Sequence, residues 1–219
     1  MCRRENASLQ AGMNFGLGGS HSVILMSLRS NAPYQDRLED GGTTLIYEGH
    51  DQPRTATTPN PKLLDQLERS PSGGFTQNGK FHGAAQAAKV GRREPERVRA
   101  YEKIRAGIWA DNGLFQLVDS WIESDGNRRV FKFKLIAIKD EQELSPAPIT
   151  TPMRRRVIPT EVKLEVWKRD GGKCVRCKAT DELHFDHDLP WSKGGTSITA
   201  ANVQLLCARH NLAKSDRIV

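Results

Sequence analysis

The strongest constraint on this chain is a spacing near its end. Cys174-Val175-Arg176-Cys177 and Cys207-Ala208-Arg209-His210 each carry two soft ligands with two residues between them. Two such pairs can close on one tetrahedral zinc ion, and the chain between them then has few ways to run. In a reducing compartment, clustered thiols argue for metal rather than disulfides. The fourth cysteine, Cys2, stands alone and reads as a terminal thiol without a role. Just upstream, Glu161 to Arg169 has the pattern of a short amphipathic helix, preceded by Pro159-Thr160 and stopped by Gly171-Gly172.

Between the two pairs lies His184-Phe185-Asp186-His187-Asp188-Leu189-Pro190-Trp191-Ser192-Lys193-Gly194-Gly195, then Asn202-Val203-Gln204-Leu205-Leu206, with Asn211 just after the second pair. From about Glu161 to Arg217 this resembles the HNH endonuclease family. The resemblance implies a two-stranded hairpin followed by a helix, a ββα-metal fold with a zinc ribbon. It implies Asp186 and Asn211 as oxygen ligands of a catalytic divalent cation such as Mg2+ or Mn2+, a hard ion that prefers such donors. His187, with a neutral imidazole available near pH 7, is the candidate general base that activates water. On a regular strand Asp186 and His187 point to opposite faces; the family bends the chain there so that both reach one phosphate. Asn202 matches a residue that orients the hairpin and does no chemistry itself. Structural zinc then falls to Cys174, Cys177, Cys207 and His210. Many relatives carry Cys at the position of His210, which leaves open a place for it on the catalytic cation; the repeated spacing favours zinc. Asp188 reads as a surface acid, and Lys193 and Lys214 as solvated side chains within reach of a DNA backbone.

Lys+Arg number 33 and Asp+Glu 26, a formal charge of +7, which favours an anionic partner, most often nucleic acid. No apolar run is long enough to cross a bilayer, and the short run Val23 to Leu28 reads as a strand without the order of a secretory signal. The expected compartment is therefore the cytoplasm, with no membrane partner. At 219 residues the chain has room for two small cores. Pro146, Pro148 and Pro152 make a stiff, extended connector, followed by Arg154, Arg155 and Arg156. The expected division is a domain over 1–144, a Pro/Arg-rich linker over 145–156 and a nuclease domain over 157–219.

Before the linker, strands are expected at Ser22 to Leu28, Thr43 to Tyr47, Gly113 to Trp121 and Arg129 to Ile138, the last alternating through Val130, Phe131, Lys132, Phe133, Lys134 and Leu135. Short helices are expected at Pro61 to Glu68 and Pro95 to Ala106, with Pro95 in a first turn. Asp51 to Lys80, rich in Pro, Thr, Gly, Asn and Gln, reads as a long loop. The class is α+β.

Gly18-Gly19-Ser20-His21, Pro33-Tyr34-Gln35-Asp36-Arg37, Ile46-Tyr47-Glu48-Gly49, Gln77-Asn78-Gly79-Lys80, Pro95-Glu96-Arg97-Val98-Arg99 and Trp109 to Phe115, leading to Trp121, together resemble the SRA (YDG) domain. The similarity spans about Asn14 to Ile138, with the family's Tyr-Asp-Gly signature standing here as Asp111-Asn112-Gly113. It implies an SRA/PUA-like curved β-barrel with flanking helices, which flips 5-methylcytosine out of the duplex. Such a pocket needs flat walls to replace lost stacking and an acceptor for the exocyclic amine. Tyr34 and Tyr47 are the candidate walls and Asp36 the candidate acceptor. The loop from His50 to Lys80 is expected to fill the vacated space, with Gln52, Arg54, Asn78 and Lys80 as candidate DNA contacts beside His21. Arg92, Arg93, Arg97 and Arg99 are phosphate contacts or ordinary surface charge.

Joined, the two halves resemble a modification-dependent, type IV-like restriction endonuclease acting on double-stranded DNA that contains modified cytosine. One HNH site is expected to nick one strand, so a double-strand break needs a homodimer or two binding events. Two alternatives stand beside this: a methylated-DNA-binding protein with a weak or inactive nuclease, and an HNH nuclease that reads unmodified sequence. A zinc-only module is disfavoured, because a zinc ribbon alone has no need of Asp186-His187.

Overall fold

A computed structural model describes residues 1–17, 20–56, 58–138, 157–190 and 193–214. The expected linker, its three arginines and Trp191-Ser192 lie outside the described residues. Two compact units are present, one holding most of the first 138 residues and the other the C-terminal part.

The larger unit is built on β1 (Met13–Asn14), β2 (Ser22–Met26), β3 (Arg37–Glu39), β4 (Thr44–Glu48), β5 (Glu96–Arg105), β6 (Ile108–Ser124) and β7 (Arg129–Ala137), after a short helix α1 (Cys2–Glu5). They form one mixed sheet in the order β1-β2-β5-β6-β7-β4-β3. The class is α+β as expected, and among the described residues β1 and β3 are the outer strands of the sheet. β2 and β5 run parallel, with Ser22 opposite Val98 and Met26 opposite Glu102, while β4 and β6 flank β7 antiparallel. A register shift between Leu117 and Asp119 puts a bulge in the long strand β6, a device that bends a strand. Phe115, Leu117, Phe131, Phe133 and Leu135 are fully buried, each worth roughly 1.5–3 kcal/mol of transfer free energy.

Three expectations fail here. Pro95 to Ala106 is a strand, not a helix. Val98, Ala100, Glu102 and Ile104 alternate inward and are all buried, a period of two that a helix cannot satisfy. The expected loop over 51–80 ends early, because α2 (Gln77–Lys89) starts inside it. Thr76 caps that helix by accepting from the Gly79 amide at 3.1 Å, and Phe81, Ala84 and Ala85 make its buried stripe. The helix expected at 61–68 is a single 3-10 turn, Pro61–Leu63.

Arg99 is no surface charge either; its guanidinium lies 3.0 Å from Asp111 and 3.5 Å from Glu5. Buried charge recurs at Arg128, whose side chain is 1% exposed. It pairs with Asp51 at 2.6 Å and Asp125 at 3.2 Å, and donates to the carbonyls of Pro61 and Leu64. The Lys132 ammonium meets Glu48 at 2.9 Å. These cations fix the loop after β4 onto the start of β7.

The smaller unit holds α3 (Thr160–Arg169), β8 (Leu183–His187), β9 (Val203–Cys207) and α4 (Ala208–Lys214). β8 and β9 form an antiparallel hairpin with His187 opposite Val203, and α4 follows without a break, so the expected ββα order is present. Val162 and Val166, one turn apart on α3, pack with Ile158, Ala200, Val203 and Leu205. Arg169 at the end of α3 donates to the carbonyls of Ala200 and Val203 at 2.6 and 2.7 Å. No helix of the described residues is long and apolar enough to cross a membrane.

Replacing Arg128 with Met takes a buried cation from half-buried Asp51 and from Asp125, and leaves the Pro61 and Leu64 carbonyls without their donor. We expect a loss of about 3–5 kcal/mol in urea denaturation. A loss below about 1 kcal/mol, the scale of a solvated pair, would remove the network from the account of this unit.

Candidate functional site

Cys174, Cys177, Cys207 and His210 offer ligand atoms that all lie within 4.8 Å of one another. Cys177 and Cys207 sulphurs are 3.7 Å apart, and His210 Nδ1 sits 3.4 Å from the sulphurs of Cys174 and Cys207. Zn–S near 2.3 Å and Zn–N near 2.0 Å imply ligand separations of about 3.6–3.8 Å in a tetrahedron, so the donor set and spacing fit zinc. His210 therefore stands with the three cysteines. Burial raises the Cys174 thiol, but the amides of Cys207, Cys177 and Arg176 and the His210 ring outweigh it and bring it down to about 5. A thiolate is what a zinc ligand has to be.

The loop between β8 and β9 is closed by Asn202. Its carbonyl oxygen accepts from the Leu189 amide at 2.8 Å, and its amide nitrogen donates to the carbonyls of Leu189 at 3.1 Å and Thr196 at 2.9 Å. Gly195 lies inside this closure. A Cβ there would stand 1.8 Å from the Leu189 carbonyl oxygen, so no other residue fits without moving the backbone.

Asp186 and His187 end β8 at the mouth of that loop. His187 Nε2 lies 2.7 Å from the Ser197 hydroxyl. Burial, helped by the nearby Lys214 charge, lowers the imidazole to about 4, so it is neutral at pH 7. Lys214 corrects the sequence reading. Its side chain is fully buried, and its ammonium donates to the His187 carbonyl at 2.7 Å and lies 3.0 Å from Asp186 Oδ2. Oδ2 is thus ion-paired with Lys214 but short of hydrogen-bond geometry. Burial raises the Asp186 carboxyl, and Lys214 offsets only part of the rise. Asn211 lies three residues before Lys214 on α4, hence on the same helix face, and is half-buried. A buried carboxylate oxygen without a hydrogen bond, with a carboxamide on the facing helix, fits a hard divalent cation.

In the larger unit two of the expected pocket residues, Tyr34 and Tyr47, meet around a side chain that the sequence reading missed. The His50 ring stacks on Tyr34, centroids 4.7 Å apart and planes 5° from parallel, and its Nε2 is 2.7 Å from the Tyr47 hydroxyl. Asn78 clamps the His50 backbone at both ends, accepting from its amide at 2.9 Å and donating to its carbonyl at 2.8 Å. Burial brings the His50 imidazole down to about 4. The Lys62 ammonium lies 4.0 Å from the Tyr34 ring centroid; it and His50 cannot share one face of the ring without overlap. Tyr47 is 1% exposed, and its hydroxyl also donates to the carbonyls of Gly12 and Leu25. Asp36 turns its carboxylate onto the amides of Ser27 and Glu48, both at 3.0 Å, and burial lifts it to about 7.

Among the expected DNA contacts, Arg54 and Lys80 are exposed, Lys80 on α2 rather than on a loop. Gln52 donates to the Asp65 carbonyl at 3.1 Å. Asn78 is buried and committed to His50, so it does not face outward. His21 is held at 2.8 Å by Glu5 and at 2.9 Å by Ser20. The His50 position was marked in the sequence only by its place three residues after Tyr47.

Two outcomes follow. Folded Asp36 keeps its proton to about pH 7, whereas an unfolded Asp releases it near 4. The folded chain thus binds more protons in that window, and this contribution to stability falls as pH rises from about 4 to 7. His50 and His187, lowered to about 4, act in the opposite sense up to about pH 6.5. The difference in melting temperature between Asp36→Asn and the parent should therefore shift in favour of the variant from pH 5 to pH 8; a constant difference would contradict the buried carboxyl. Stripping zinc, or the change Cys174→Ser, should unfold the smaller unit, since such sites supply on the order of 10 kcal/mol. The check is tryptophan fluorescence with metal analysis, and a metal-free protein that melts like the parent would refute it.

No curated protein matches the chain. Among solved structures, the SUVH5 SRA complex with hemimethylated CG DNA is similar at a TM-score of 0.41 and 22% identity, over 64% of this chain and 80% of that one. The SUVH5 SRA bound to fully hydroxymethylated CG DNA gives 0.41 and 21%, over 64% and 81%. Arabidopsis thaliana SUVH6 in complex with SAM gives 0.38 and 18%, over 83% of this chain and 28% of that one. Residues 174–217, which hold the Cys/His cluster, the hairpin and α4, match the family model described as HNH endonuclease.

Proposed function

We propose that this protein is a metal-dependent DNA endonuclease whose N-terminal unit directs it to duplexes containing modified cytosine. The observation that carries the nuclease half is the end of β8. There a buried carboxylate oxygen without a hydrogen bond lies beside a neutral imidazole on the zinc-ligand hairpin. Asp186 and Asn211 would hold a divalent cation such as Mg2+ or Mn2+. When bound, that cation stabilises charge on the phosphate and the leaving 3′ oxygen. His187 accepts a proton from the attacking water. Asn202 keeps the loop closed so that His187 and Asp186 face one phosphate. The cysteines and His210 hold the hairpin to α4. The net charge of +7 suits a polyanion.

For the reading half, Tyr34, Asp36 and Tyr47 form the slot for a flipped base. The His50 ring takes the stacking place on Tyr34, and an incoming base would displace it. The buried Asp36 carboxyl is the acceptor for the cytosine amine, and exposed Arg54 and Lys80 are the reach toward the duplex. With one strand cut per site, a double-strand break needs a second copy of the chain or a second binding event. A second reading has its own support: with the Tyr34 face already covered by His50, the unit would read unmodified duplex without flipping a base.

Supercoiled plasmid, methylated or not, is incubated with Mg2+ or Mn2+. Nicking of the methylated form is expected, and His187→Ala should lower it by roughly 10²- to 10⁴-fold. Intact supercoiled DNA at high protein concentration would refute the endonuclease. Equal affinity for methylated and unmethylated duplex at matched salt would remove base reading and leave the second alternative.

A further inference from the structure

His187 has two ring nitrogens, and only one of them can take a proton from water. The χ2 torsion of a histidine is broad and nearly two-fold, so an unheld ring presents either edge. Here the ring is held. Nε2 meets the Ser197 hydroxyl at 2.7 Å, and Ser197 is 1% exposed. Among the described residues no hydrogen bond to Nδ1 occurs alongside it.

The loop that carries the hydroxyl is itself held at two points. Ser197 follows Thr196, whose carbonyl accepts from the Asn202 amide at 2.9 Å, and Gly195 is pressed against the Leu189 carbonyl. The His187 backbone is pinned independently by the Lys214 ammonium on its carbonyl at 2.7 Å. Backbone and ring are thus held by different groups from different parts of the chain, and among the described residues the Ser197 contact is the hydrogen bond that acts on the ring.

We propose that Ser197 is a positioning residue for His187, holding Nε2–H so that Nδ1 is the nitrogen that receives the water proton. This rests on the reading of His187 as general base. In the step, an O–H bond of water breaks and its proton goes to Nδ1. The water oxygen bonds to phosphorus as the bond to the 3′ oxygen breaks. Ser197 accepts from Nε2–H before and after, so the imidazolium keeps its orientation. A hydroxyl in this place orients a ring as partners of metal-bound histidines do, and losses there run to roughly 10- to 100-fold.

The test pairs kinetics with a tautomer measurement on the full chain. Ser197→Ala should lower kcat for plasmid nicking by roughly 10- to 100-fold, with KM and melting temperature close to the parent. Ser197→Thr, which keeps the hydroxyl, should restore most of the rate. Nitrogen-15 NMR of the parent should show His187 as the Nε2–H tautomer, and Ser197→Ala a mixture. A parent ring protonated on Nδ1 would overturn the proposal even if Ser197→Ala failed to fold. So would unchanged kcat in a well-folded Ser197→Ala. His187→Ala run alongside separates the two failures. An active His187→Ala removes the general base itself, whereas an inactive one beside a fully active Ser197→Ala removes only the role of the serine.

Discussion

The smaller unit depends on one cross-link. Its apolar cluster is small, built from Ile158, Val162, Val166, Ala200, Val203 and Leu205, and a core of that size seldom holds a fold alone. The Cys174–Cys177 turn and the Cys207–His210 turn can supply what the core lacks, because a metal shared between them would join the chain before β8 to the first turn of α4. The consequence reaches the site directly. Lys214 sits at the far end of α4, so only with α4 seated can its ammonium reach Asp186 and the His187 carbonyl. Fold and site share the same tether.

Desolvation then sets the charge states. In both units burial works against ionisation: it lowers His187 and His50 to about 4 and lifts Asp36 to about 7. A neutral imidazole is what a general base requires, and near His187 the Lys214 charge reinforces burial rather than opposing it. Asp186 keeps a cation at 3.0 Å and an oxygen without a hydrogen bond, an arrangement suited to a stronger and better-placed positive charge. In the larger unit the same physics favours stacking. A neutral imidazole lies flat on Tyr34 where a protonated ring beside the Lys62 ammonium would be repelled.

The C-terminal half was legible because its chemistry fixes spacing. Ligand pairs two residues apart, a helix stopped by Gly171-Gly172 and a hairpin closed by Asn202 each leave a local mark. What escaped was decided by distance in the fold. Lys214 and Ser197 are ordinary polar residues in sequence, and only the folded loop brings them to His187. In the N-terminal half, the proline before Glu96 argued for a helix, while pairing with β2 gave the strand, a tertiary choice that local propensity cannot see. Helix α2 was obscured by Asn78, Gly79 and Gly83, poor helix formers that stand there for reasons of contact. Gly79 lets the helix approach the Glu68 carbonyl, and Asn78 clamps His50. Tyr34 and Tyr47 stood out in the sequence, but not the histidine that meets both of them.

The central claim is that Asp186 and Asn211 converge on a single cation beside a neutral His187. Crystals of His187→Ala with a DNA duplex, soaked in Mn2+ and measured at the manganese edge, test it most directly. The account predicts one anomalous peak ligated by both the Asp186 carboxylate and the Asn211 carboxamide, distinct from the zinc among the cysteines. Manganese bound by neither residue, or a peak only at the cysteine cluster, would contradict it.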